Sequence, residues 1–241
     1  MDEVVTSSRI RLGDAARALG KLLRDPDDTS QVFRVVEALS GKNGERMLAR
    51  MKRDESGRRV LAGRSQLLDL LTDHERLMKM PEGSLGREYV RFLRSEGITA
   101  EGLKQASVDG RKDGRRLSEE LEFMRDRMRD THDLWHVVTG YKGDLIGEAS
   151  LLAFIFAQTR NPGIGFIVGT ALLVGREPRI RRLILQGFAR GARARWLPGV
   201  AWEELLARPL DEVRVLLRVG EPPRYRPVRT SDYRRVTLQA A

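Results

Sequence analysis

Apolar residues recur at intervals of three and four along almost the whole chain, the spacing that gathers them on one side of an α-helix. In "RIRLGDAARALGKLLRD" the positions Ile10, Leu12, Ala16, Leu19, Leu22 and Leu23 trace one stripe, which stops at Asp25-Pro26. "DDTSQVFRVVEALSG" opens on Thr29 and Ser30, whose hydroxyls suit a helix N-cap, and closes on Gly41. The same period predicts helices in "GERMLARMKRD", "SQLLDLLTDHERLMKM" and "LGREYVRFLRSEG", and one entering at Leu117-Ser118. Strand-like alternation is suggested only in "EVRVLLRVG". The pattern predicts an all-α, multi-helix fold as a single domain over residues 1–241. Residues 105–116 are its most loop-like interior stretch, and residues 1–10 and 224–241 are expected to be extended or poorly ordered.

One region departs from amphipathic spacing. "ASLLAFIFA" and "IGFIVGTALLVG" are uniformly apolar and are separated by the polar turn "QTRNPG". A bilayer span takes about 20 consecutive apolar residues, and neither block reaches that. Two readings stand: a pair of buried core helices, or the walls of an apolar groove or tunnel for a lipid tail over residues 149–175.

Composition adds limits. With 41% hydrophobic and 32% charged residues, the chain is an ordinary globular protein rather than a disordered one. Cysteine is absent, so any metal must be held by histidine and carboxylates. A net charge of +10 and a pI near 10.4 favour anionic partners, either nucleic acid or a membrane face. No nucleic-acid motif supports the first, so no nucleic-acid partner is expected. From Arg176 to Trp196 the chain has seven arginines against one glutamate. With Leu183, Ile184, Leu185, Phe188 and Trp196, that segment reads either as an interfacial helix on anionic headgroups or as a packed helix with a solvated basic face. The opening "MDEVVTSSRIRLGD" carries early acids and no apolar segment. The expectation is a cytoplasmic protein of bacterial type without a secretory signal, peripheral on the inner face of the membrane.

Chemistry concentrates in "RMRDTHDLWHVVTGYKGDLIGEASLL", which holds two of the three histidines in the chain, four residues apart. On one helix Arg129, His132, Asp133 and His136 share a polar stripe, bordered by Met124, Met128, Trp135 and Val138. His132 and His136 are spaced to reach one cation, with Asp133 as a third ligand or as the acceptor that fixes a ring tautomer. Eleven residues, including Gly140, Gly143 and Gly147, separate His136 from Glu148 and let the chain turn so that Glu148 can return to the same point. Two imidazoles with carboxylates suit a divalent ion; Zn²⁺ fits the ligand type best, and Fe²⁺, Mn²⁺, Co²⁺ or Mg²⁺ are alternatives. The zincin motif does not apply, because it places Glu after the first His. A helical HD-type phosphohydrolase is a rival that needs a further upstream histidine, for which His74 is the candidate. Arg129 and Gln158 are the candidate substrate-binding residues; no catalytic group is assigned beyond the metal ligands.

These residues resemble the Coq4 family of ubiquinone biosynthesis proteins. His132-Asp133-x-x-His136, eleven residues, then Glu148 is similar to that family's metal signature. "DPDDTSQVFRVVEALSG", "MKRDESGRRVLAGR", "GSLGREYVRFL", "GEASLLAFIFAQTRNPG" and "WEELLARPLDEVRVLLRVGEPP" look like family segments in the same order, over roughly residues 15–223. The resemblance implies a membrane-associated homodimer that acts on a prenylated quinone precursor beside other quinone-biosynthesis proteins. The activity it implies is metal-dependent oxidative decarboxylation and hydroxylation at C1 of the head group. The alternative it implies is a non-catalytic prenyl-lipid scaffold for the other enzymes of the pathway.

Overall fold

The computed structural model describes residues 10–24, 29–64, 67–99, 102, 105, 117–175 and 177–228. Regular structure among them is helical throughout, with no strand. In chain order the helices are α1 (Leu12–Arg24), α2 (Thr29–Leu39), α3 (Asn43–Arg53), α4 (Glu55–Gly63), α5 (Leu67–Thr72), α6 (His74–Met78) and α7 (Leu85–Glu96). They continue with α8 (Glu119–Asp130), α9 (His132–Thr139), α10 (Leu145–Thr159), α11 (Pro162–Val174), α12 (Pro178–Arg193) and α13 (Leu210–Leu217). Short 3-10 turns lie at Leu197–Gly199 and Trp202–Glu204. Of the stretch read as a loop, residues 106–116 lie outside the described residues, as do residues 1–9 and 229–241 at the ends.

The helices divide between two compact units, each assembled from non-contiguous segments. One takes Gly44–Thr139 and Ala194–Glu221; the other takes Ser8–Asn43 and Gly140–Arg193, with residues from Pro222 onward.

In the unit of α1, α2, α10, α11 and α12, small residues set the packing. Ala15 and Ala18 of α1 close on Val35, Ala38 and Leu39 of α2, and Ile167 of α11 joins them. The buried stripe of α1 is therefore Ala15, Ala18 and Leu19, whereas Ile10 and Leu12, expected on that face, are 57% and 72% exposed. The two alanines let the α1 backbone approach the valines of α2, and this rotates the larger residues outward.

The polar turn between the apolar blocks is a hydrogen-bonded knot. Asn161 caps α11 by accepting from the N–H groups of Gly163 (2.8 Å) and Ile164 (3.3 Å), and Pro162 occupies the first turn, where its missing N–H costs nothing. The Asn161 amide donates to Ser40 at 2.8 Å and the Asn43 amide to the Thr159 carbonyl at 2.9 Å. Helices α10 and α12 cross almost backbone to backbone. A methyl group on Gly187 would stand 2.2 Å from the Ser150 carbonyl oxygen, and one on Gly191 would stand 2.5 Å from that of Phe154. Among the described residues, no helix is long and apolar enough to cross a membrane.

In the other unit Met47, Met51, Val60 and Met124 form a core that Trp196 covers. Arg127 of α8, 4% exposed, forks onto both oxygens of Glu203 (2.7 and 2.8 Å) and onto the Val200 carbonyl (3.0 Å), fastening α8 to the 3-10 segment. "EVRVLLRVG" contributes to α13 rather than to a strand. Val213 and Leu217, four apart, are both buried, and Asp211 and Glu212 in the first turn favour the helix N-terminus.

Candidate metal centre

Three helices position the candidate ligands. Helix α7 starts at Ser84, whose hydroxyl accepts from Arg87 N–H, and ends at Gly97 in the left-handed region (φ 71°). Its buried face, which includes Tyr89, Val90 and Leu93, packs on α9. Helix α8 stops at Thr131, which sits near the bridge region (φ −88°, ψ −3°), and the chain re-enters a helix at His132. The last carbonyls of α9, on Val137 and Val138, accept from the Arg214 guanidinium of α13 at 3.2 and 3.1 Å. A cation at a helix C-terminus also opposes the negative end of the helix dipole.

On α9 the predicted i, i+4 pair meets. The His132 and His136 rings lie 4.9 Å apart, centroid to centroid, at 74°. Asp133 places a carboxylate oxygen 3.4 Å from His132 Nδ1. One ligand atom from each of His132, Asp133 and His136 falls within 4.8 Å of the others. Ligands around one tetrahedral zinc stand roughly 3.4 Å apart, a separation on the scale of this set. The donors are two imidazoles and a carboxylate, a set that fits Zn²⁺ or a first-row divalent metal of similar size. His136 is almost fully buried, and Phe92 of α7 stacks on it at 5.2 Å with the rings 18° from parallel. That contact holds the ring in one orientation. Among the described residues this group does not include His74, which opens α6.

The other sequence candidates are differently placed. Because the helix breaks at Thr131, Arg129 belongs to α8 rather than to the helix of the histidines. Its guanidinium pairs with Asp126 at 2.9 Å and Asp130 at 3.5 Å. Gln158, buried in α10, gives its amide to the Gly191 carbonyl. Glu148 lies in the first turn of α10, in the unit that does not contain α9, and is half-buried there.

Sequence reasoning did not single out Tyr89 or Phe92. Tyr89 is fully buried, and its hydroxyl has no hydrogen-bond partner among the described residues. Burial pushes its phenol well above the usual range, and the carboxylates of Asp133 and Asp130 push it further. "GREYVRF" did carry a signal, since Tyr89 and Phe92 are three apart and share a helix face, but nothing in it named α9 as the partner.

With the geometry in place, known proteins supply context. The model of the family described as "Coenzyme Q (ubiquinone) biosynthesis protein Coq4" matches residues 7–223. The mitochondrial ubiquinone biosynthesis protein coq4 of Aspergillus clavatus is 32% identical over 183 residues, 74% of this chain and 62% of its own length. The Rattus norvegicus COQ4 homolog is 28% identical over 229 residues, 93% of this chain and 83% of its own. The chain thus aligns with about three fifths of the fungal relative. In fold it is similar to a crystal structure from Nostoc punctiforme PCC 73102, provisionally named a ubiquinone biosynthesis protein. There the TM-score is 0.64 at 21% identity, covering 87% of this chain and 99% of the other.

Proposed function

The chain belongs to the Coq4 family of coenzyme Q (ubiquinone) biosynthesis proteins, and from that premise we propose that α9 carries a divalent-metal centre acting on the head group of a prenylated quinone precursor. The reaction in this reading is oxidative decarboxylation and hydroxylation at C1 of a benzoate-type ring: the C1–carboxyl bond breaks with loss of CO₂, a C1–oxygen bond forms, and an external two-electron oxidant such as O₂ takes up the electrons. The carrying observation is the convergence of His132, Asp133 and His136 within 4.8 Å on a helix otherwise buried in apolar contacts.

Metal ligation would use the neutral imidazoles of His132 and His136. If His132 donates Nδ1–H to Asp133, its Nε2 keeps the lone pair a metal requires. Phe92 prevents His136 from turning away. A bound ion supplies Lewis-acid stabilisation of charge on the ring's carboxylate or adjacent phenolate oxygen. The native metal of this reading is zinc on ligand type, with iron, manganese, cobalt or magnesium as alternatives.

The same reading makes the protein a peripheral one, seated on an anionic membrane where prenyl lipids reside, and a homodimer working beside other quinone-biosynthesis proteins. What supports the membrane part is local to one unit. Helix α11 exposes Phe166, Leu173 and Val174, and α12 exposes Leu185 among Arg179, Arg181 and Arg182.

The test is metal content and turnover in parallel. Wild-type protein is expected to hold one divalent ion per chain by elemental analysis and to convert a prenylated 4-hydroxybenzoate. His132→Ala, at a half-exposed site, should lose the ion while keeping the helical circular dichroism. A His132→Ala protein with full metal content sinks the ligand assignment. Metal binding and lipid binding without conversion by wild type would point to the scaffold instead.

A further inference from the structure

The phenol of Tyr89 is unusual in two respects. Its residue is fully buried, and its hydroxyl, an obligate hydrogen-bonding group, lacks a partner among the described residues. Buried polar atoms left so are uncommon, and each calls for a reason. The side chain lies on the face of α7 that meets α9: Phe92, one turn further along, stacks on His136. The charges that act on the phenol are Asp133, one of the candidate ligands, and Asp130 at the end of α8. A neutral O–H donor therefore faces the candidate metal centre from a dry position.

We propose that Tyr89 is a substrate-binding residue, donating its hydroxyl hydrogen to a carboxylate oxygen of an aromatic acid held at the α9 centre. This deepens the metal-centre reading and rests on it. An aromatic carboxylate bound to a cation through one oxygen presents its second oxygen as an acceptor. The chain's own carboxylates there, Asp130 and Asp133, offer only further acceptors when ionised. Arg129, the cation nearest in sequence, is already committed to Asp126 and Asp130. Tyr89 supplies the missing donor, and the hydroxyl stays unsatisfied until the acid arrives.

Tyr89→Phe removes one oxygen and keeps the ring, so it tests the hydroxyl without opening a cavity. The probe is 4-hydroxy-3-prenylbenzoate, titrated calorimetrically into zinc-loaded protein in detergent, with 2-prenylphenol as the analogue lacking the carboxylate. The expected result has three parts. Zinc content equals that of wild type; Kd for the acid rises about ten- to a hundredfold, as for loss of a hydrogen bond to a charged acceptor; and affinity for the phenol is unchanged. In the metal-free protein the melting temperature of Tyr89→Phe should stay level or rise. Equal Kd values for the acid overturn the inference, while the metal-centre reading stands. A drop in zinc content or melting temperature also overturns it, because the hydroxyl then serves Asp133 or the core. A wild-type protein that takes up neither zinc nor the acid overturns both.

Discussion

Asp144 is the hinge on which the geometry of α10, and with it Glu148, depends. Its carboxylate is 6% exposed and accepts four hydrogen bonds. Two cap α10, from the N–H groups of Ile146 (3.2 Å) and Gly147 (3.4 Å). The others come from the segment after Pro222: the Tyr225 hydroxyl at 2.7 Å and the Val228 N–H at 3.0 Å. Tyr225 in turn accepts from Lys142 N–H at 2.9 Å, and Leu145 N–H donates to the Val228 carbonyl at 3.1 Å. Asp144→Ala removes a cap worth about 1 kcal/mol. It also deprives two donors of a charged acceptor, at about 1–3 kcal/mol each when buried, though water relieves part of this if residues 222–228 lift away. The expected loss is about 3 kcal/mol. Tyr225→Phe alone breaks one charge-assisted bond, for about 1.5–2 kcal/mol. Since the two residues share a bond, the double variant should lose about 1.5 kcal/mol less than the sum of the single losses. Urea denaturation followed by far-ultraviolet circular dichroism measures all three. Limited trypsinolysis at Arg224 reports whether the segment is released. Losses that add to within about 0.5 kcal/mol, with unchanged cleavage, would refute the clasp.

Two further outcomes test the packing and the buried phenols. Gly187→Ala puts a methyl group 2.2 Å from the Ser150 carbonyl oxygen and should cost about 2–3 kcal/mol in thermal or urea unfolding; Gly169→Ala on α11 has nothing within 4 Å and should be neutral or stabilising by about 0.5–1 kcal/mol. Tyr89, Tyr141 and Tyr225 all have raised phenol pKa values, chiefly through burial. An unfolded tyrosine releases its proton near pH 10 while these native ones hold theirs, so their contribution is whole below about pH 10 and is lost as pH rises beyond it. Phenolate absorbance should therefore appear together with unfolding in alkaline titration; stepwise ionisation of all tyrosines with the helices intact would contradict the burial.

Most of the helices could be read from sequence because their signals are local. Ser84 with Gly97 for α7, and Asn161-Pro162 for α11, are caps written in the residues themselves. The break at Thr131 was not legible, since neither glycine nor proline marks it, and a continuous helix would have put Arg129 on the histidine face. The α13 segment satisfied two periods at once: Val213, Val215 and Leu217 alternate like a strand, while Val213 and Leu217 alone share a helix face. The 79% exposure of Val215 shows that the helical period prevailed. On α1 the spacing allows a stripe through Ile10, Leu12, Ala16 and Leu19, whereas close helix approach selects Ala15 and Ala18 beside Leu19, a rotation that spacing alone does not fix.

The candidate site shows why a motif and a centre differ. His132, Asp133 and His136 declare themselves by spacing, yet α9 has only eight residues, too few to hold a helix unaided in water. Its rigidity comes from residues distant in sequence. Phe92 stacks on His136, Arg214 satisfies the carbonyls of Val137 and Val138, and Trp135 is buried to 1% exposure. An isolated peptide carrying these ligands would have to order itself when an ion binds, at about 1–2 kcal/mol for each backbone residue fixed. In the folded chain the backbone of the three residues is already ordered on α9. On the metal-centre proposal, affinity for an ion would be a property of α7 and α13 as much as of the motif. Losing Arg214 or Phe92 should weaken metal binding although neither offers a ligand atom.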